Sequence, residues 1–254
     1  MRPLRLTALA AFLLLQACGP LVPLAPAPAP VRAVDPLIGT GISTTESARE
    51  HSESSSEAKG QTFPAVGVPF GMTQLTPQTS GGAAKCVSPY YHFDTRLQGF
   101  RASHWISGSC TQDYGSFTLM PLSGRLEVLP EVRASRFSHD RETATPAYYA
   151  VTLDDEMIRA EATGSARAGF LRFTFAAGEP AYVVVNPNSE QGLGSVEVLP
   201  ESREIVGLNP VYRLYAGQGT PAGFNGYFVA RFDTPFEAYG VWENGAVRTG
   251  ESSV

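Results

Sequence analysis

Pro146-Ala147-Tyr148-Tyr149-Ala150-Val151-Thr152-Leu153 runs into Asp154-Asp155, after which residues 157–163 read Met157-Ile158-Arg159-Ala160-Glu161-Ala162-Thr163. Two short runs carrying aromatic, β-branched and alternating side chains, joined by residues that favour turns, read as a β-hairpin. The same signature recurs outward from here, at residues 169–175, 182–185, 204–208, 211–215, 227–232 and 236–242. Turn signals break it every eight to twelve residues, and Asn244-Gly245, the strongest short-range hairpin pairing, follows the last run. No stretch sustains a helical period between caps. The pattern predicts an all-β chain folded as an antiparallel β-sandwich.

Upstream, residues 61–121 concentrate the unusual chemistry. They include Gln61-Thr62-Phe63-Pro64-Ala65-Val66-Gly67-Val68-Pro69-Phe70-Gly71-Met72 and, later, Gly99-Phe100-Arg101-Ala102-Ser103-His104-Trp105-Ile106-Ser107-Gly108-Ser109-Cys110-Thr111-Gln112-Asp113-Tyr114-Gly115. Gly and Pro alternate there with aromatics more densely than strands ordinarily tolerate. Much of the stretch therefore reads as irregular backbone displaying His, Trp, Asp and Arg side chains, and such loops serve binding more often than packing.

The chain has 254 residues, a hydrophobic fraction of 43% and a charged fraction of 17%, which suits a globular protein with a sizeable core. Net charge is −5, the 19 Lys and Arg residues form no basic run, and a nucleic-acid partner is excluded on that ground. Met1-Arg2-Pro3-Leu4-Arg5 and the apolar run at residues 6–15 have the form of a secretory signal too short to span a bilayer. The run ends in Leu15-Gln16-Ala17-Cys18-Gly19, similar to a bacterial lipobox, so residues 1–18 are expected to be a lipoprotein signal with lipidation at Cys18. Acyl chains contribute about 0.8 kcal/mol per buried CH₂, which makes a membrane anchor. The expected location is that of an exported bacterial lipoprotein, membrane-anchored at the cell surface or in the periplasm. Residues 19–34, with Pro23-Leu24-Ala25-Pro26-Ala27-Pro28-Ala29-Pro30, read as an extended polyproline linker. Residues 42–60 are polar and rich in Ser and Glu, as expected of a surface loop.

Four segments in order carry a resemblance to glycoside hydrolase family 92, the calcium-dependent exo-α-mannosidases. They are Val34-Asp35-Pro36-Leu37-Ile38-Gly39-Thr40-Gly41, residues 61–79, residues 99–121, and Phe137-Ser138-His139 with the Pro146–Leu153 run. The resemblance implies that residues 35–254 are the N-terminal β-sandwich domain of such an enzyme, with residues 42–60 as an insertion. It implies a mannose-containing glycan as partner. It also implies that acid, base and calcium ligands belong to a C-terminal helical barrel that no part of this chain matches. No catalytic or metal residue is carried over, and whether the chain acts as an enzyme is left open. Calcium is implied for the full-length family enzyme and for none of these residues. A truncated chain lacking its catalytic barrel is one reading; a glycan-binding surface lipoprotein without catalysis is the other.

The residues themselves offer binding candidates more readily than catalytic ones. Glycoside hydrolysis needs two carboxyl groups flanking the scissile bond. Asp113 is the best acidic candidate, yet it also reads as a carboxylate that accepts backbone N–H bonds and braces its loop, and no partner carboxylate presents itself. Asp154, Asp155 and Glu161 read as turn and strand-face residues. Trp105 offers an indole face to a sugar ring or packs as a core residue. The resemblance implies that His104 lies at the sugar, and Arg101 hydrogen-bonds sugar hydroxyls or pairs with Asp113. His92 and His139 read as structural. Cys86 and Cys110 flank the loops, and a disulfide and two free thiols are both compatible with the sequence.

Overall fold

A computed structural model describes residues 29–46, 60–80, 88–104, 113, 115–189, 192–212 and 220–254. The chain divides into a leading unit, Met1–Ala33, and a body, Val34–Val254. The expected signal segment with Cys18, most of the expected linker, the centre of the expected insertion at residues 42–60, Trp105, Cys86 and Cys110 lie outside the described residues. In the leading unit, Ala29–Arg32 forms a single helical turn, with the Ala33 N–H on the Pro30 carbonyl at 3.2 Å. Extended polyproline was expected there. Only one residue of that turn is proline, and its φ suits the start of a helix as well as an extended chain.

In chain order the first strands are β1 (Gln74–Gln78), β2 (Arg96–Leu97), β3 (Gly99–Ser103), β4 (Phe117–Ser123) and β5 (Ser135–Arg136). A meander follows: β6 (Glu142–Thr145), β7 (Tyr148–Leu153), β8 (Ile158–Gly164) and β9 (Gly169–Thr174). Then come β10 (Ala181–Pro187), β11 (Ser195–Leu199), β12 (Glu204–Tyr212), β13 (Pro221–Arg231), β14 (Gly240–Glu243) and β15 (Ala246–Thr249). All pairings among the described strands are antiparallel. The central sheet has the order β1-β3-β4-β10, the meander β6-β7-β8-β9 and a third sheet β11-β12-β13, with β14-β15 and β2-β5 as two-stranded ribbons.

The predicted sandwich is formed by the central sheet and the meander. Phe100, Ala102, Met120, Leu122 and Val184 from the first meet Tyr149, Val151, Leu153, Ile158, Ala160 and Ala162 from the second. Each fully buried large aliphatic or aromatic side chain contributes roughly 1.5–3 kcal/mol. The opposite face of the central sheet is covered as well: Leu119 and Val185 meet Val196, Val198 and Phe228 of the third sheet and Val241 of the β14-β15 hairpin. Phe117 stacks on Phe228 at a centroid distance of 4.2 Å.

Burial on both faces is why residues 61–121, read as mostly irregular, supply β1, β3 and β4, three of the four central strands. A strand with two apolar faces shows no alternation, and its prolines occupy tolerant places. Pro77 lies on β1, an edge strand, and Pro121 lies beyond Leu119, where the β3-β4 pairing has ended. β12 is one strand where two were expected; Pro210 sits within it at a shift of register against β13. β11, passed over in the sequence, buries Val196 and Val198 and exposes Glu197. The expected hairpin turns are present: Asn244 and Gly245, both at positive φ, join Glu243 to its partner Ala246, and residues 154–157 join β7 to β8. The tail lies along β11, with Val254 and Val196 exchanging backbone bonds at 2.9 and 3.1 Å.

Candidate functional site

The chain leaves the central sheet at Ser103, the last residue of β3, and returns through Asp113 and Gly115 into β4. Antiparallel pairing of Ala102 with Phe117 brings the two ends of this excursion side by side. Asp113 joins them. Its Oδ1 accepts the His104 backbone N–H at 2.9 Å, and its Oδ2 accepts the Ser103 hydroxyl at 2.9 Å and Arg101 Nη1 at 3.3 Å. Arg101 is wholly buried and Asp113 is 4% exposed. Burial pulls the guanidinium of Arg101 below its ordinary pKa, and the Asp113 carboxylate opposes that shift.

Such a pair, taken out of water, is sustained only when the remaining valences are met, and for the carboxylate three donors meet them. Asp113 thus takes the bracing geometry that its position among backbone donors anticipates, and Arg101 pairs with it. Of the candidate residues described, His104 is the one that keeps accessible surface.

Away from the excursion, Glu142 on β6 gathers a polar cluster that the sequence did not single out. Its side chain is 1% exposed. It accepts the Tyr149 hydroxyl at 2.6 Å and the Tyr90 hydroxyl at 3.0 and 3.1 Å, and lies 2.5 Å from His139 Nδ1. His139 Nε2 donates to the His92 carbonyl at 2.7 Å, and the two imidazoles stack at 4.1 Å. Burial first, and the Glu142 charge second, push both phenols well above the usual tyrosine range, so they remain donors. The cluster ties residues 90–92 to the meander, which agrees with the structural reading of both histidines. Phe63 and Tyr90 are core residues, whereas Phe70 stands wholly in solvent.

Among the described residues no three His, Cys, Asp or Glu side chains converge to hold a metal ion.

The model of the glycosyl hydrolase family 92 N-terminal domain matches residues 33–254. Among solved structures, the chain is similar to the family GH92 inverting mannosidase BT2199 from Bacteroides thetaiotaomicron VPI-5482. Identity is 32% and the TM-score 0.70, over 87% of this chain and 27% of that one. The family GH92 α-mannosidase BT3965 from Bacteroides thetaiotaomicron shares the fold at 24% identity and a TM-score of 0.66, over 88% of this chain and 30% of that one. A third, the family glycosyl hydrolase ccman5, aligns at 21% identity and a TM-score of 0.55, over 75% of this chain and 27% of that one. No curated protein matches the chain. The chain spans about a quarter of the length of the first solved relative.

Proposed function

Since the chain belongs to glycosyl hydrolase family 92 through its N-terminal domain, we propose that it is the carbohydrate-binding β-sandwich of a surface lipoprotein that acts on terminal α-mannosyl residues of glycans. The observation that carries this reading is 32% identity with an inverting mannosidase over 87% of this chain. In this reading His104 and Trp105 meet the sugar, and Arg101 and Asp113 hold His104 in place. Bond cleavage and calcium belong to a helical catalytic barrel outside these residues. Cys18 carries the lipid; Cys18→Ser should move the protein from the membrane to the soluble fraction, and retention in the membrane would refute lipidation there.

The experiment is a titration of the purified chain with a mannose-containing glycan, beside an assay on an aryl α-mannoside with and without calcium. Saturable binding without turnover is expected. Trp105→Ala should weaken binding up to about tenfold, the scale of a stacked aromatic contact, with the melting temperature unchanged. Absence of binding would remove the carbohydrate role, and calcium-dependent turnover would reveal a catalytic site within the chain.

A further inference from the structure

Behind the Arg101 and Asp113 pair a line of buried polar groups crosses the whole central sheet. Arg101 Nε donates to Gln78 Oε1 at 3.1 Å, and the Thr118 hydroxyl donates to the same oxygen at 2.6 Å. Asn188 Nδ2 donates to the Thr118 hydroxyl at 2.9 Å and to Ser116 Oγ at 3.2 Å. Asn209, on β12 of the third sheet, donates through Nδ2 to the Ser116 carbonyl at 2.8 Å and to the Asn188 carbonyl at 3.0 Å. Gln78, Arg101, Asp113, Ser116, Thr118 and Asn209 are all buried. The donors converge on Gln78 Oε1, which accepts from Arg101 on one side and from the Thr118 hydroxyl on the other, and that hydroxyl also lies 3.1 Å from Asn188 Oδ1.

A second contact joins the same two places. Gly115 holds φ at +64°, and a Cβ built on Gly226 of β13 would stand 2.1 Å from Gly115 Cα. No side chain fits there. The backbone of the third sheet therefore lies directly against the residue through which the excursion re-enters β4.

We infer that the third sheet is a positioning element for His104: Asn209 and Gly226 fix Ser116 and Gly115, and with them the Asp113 carboxylate that holds the His104 backbone. Asn209, Gly226 and Thr118 act through Asp113 and touch no sugar themselves. What His104 does once positioned rests on the function proposed above; the positioning itself does not.

The test follows the His104 amide by NMR hydrogen exchange in the 254-residue chain, since exchange reports local opening. Thr118→Val keeps the volume and removes the hydroxyl; Thr118→Ser keeps the hydroxyl. Thr118→Val should speed exchange at His104 about tenfold, the scale of one lost buried hydrogen bond, and leave Val151 and Leu153 in the meander unchanged. Thr118→Ser should restore protection, and Gly226→Ala should repeat the loss by a different route. An unchanged His104 amide in folded Asn209→Leu, which removes the donor to the Ser116 and Asn188 carbonyls, overturns the inference, as does an unchanged amide in folded Thr118→Val or an equal loss of protection at Val151. Mannoside binding is measured on the same samples. If the wild-type chain binds none, the proposed function falls and the amide still decides the positioning. Altered His104 exchange with undiminished binding supports the positioning and removes His104 from the sugar site.

Discussion

Phe70 holds φ at +61°, and its ring stands wholly in solvent. It occupies the third position of the turn Val68-Pro69-Phe70-Gly71, closed by the Gly71 N–H on the Val68 carbonyl at 3.0 Å. A left-handed residue with a Cβ costs roughly 1–2 kcal/mol, and a fully exposed ring returns nothing through burial. Phe70→Gly is therefore expected to raise the unfolding free energy by about 1 kcal/mol, read as a later urea midpoint at unchanged slope. A lower midpoint would show that the ring packs on something in solution. The contrast with Phe63 and Tyr90, both buried, marks a limit of reading aromatics from sequence. Three similar rings in one Pro- and Gly-rich stretch differ in exposure because backbone direction at each turn decides which way they point.

Alternation was legible where an element has one wet face. In the meander, Glu161 lies on the outer side of β8, opposite Arg172 of β9, and was read as a strand-face residue. Hydrogen bonds from Arg172 at 2.6 and 2.7 Å, and then from Tyr148 at 2.6 Å, hold the Glu161 carboxyl down at a pKa of about 2. A pKa lowered on folding means that the unfolded chain takes up the proton first. The stabilisation is thus complete above about pH 4.5, the ordinary value, and is lost as pH falls toward about 2. Glu161→Gln should flatten the decline of the melting temperature between those limits by lowering it above about pH 4.5 and leaving it unchanged near pH 2; a decline as steep as wild type would mean that the contact does not persist. The central strands gave no such signal. Leu119 and Met120 on β4 face opposite cores, so apolar residues adjoin instead of alternating, and their Gly and Pro neighbours made them resemble loop.

At the scale of the molecule, the sandwich of the central sheet and the meander follows from hairpin signals. The third sheet's place on the far face of the central sheet does not, because only the partner of Phe117 and Val185 reveals that they need one. The candidate site divides in the same way: His104, Arg101 and Asp113 were named from residue type, while Gln78, Thr118, Asn188 and Asn209 come from distant strands and carried no local mark. The insertion offers a test at this scale. Gly60 holds φ at +110°, where a Cβ would stand 2.6 Å from the Gly39 carbonyl and 2.7 Å from that of Gly41, and the Gln61 N–H bonds the Gly39 carbonyl at 3.2 Å. Replacing residues 43–58 with four Gly-Ser residues should leave the melting temperature equal or higher, because each halving of a loop returns only about 0.6 kcal/mol of closure entropy; a fall of several degrees would show that the insertion packs on the body. The junction thus works as a socket. Sequence of another length or chemistry, a tag or a second recognition loop among them, should then plug in between Gly41 and Gly60 with the melting temperature held, whereas Gly60→Ala should jam the socket itself.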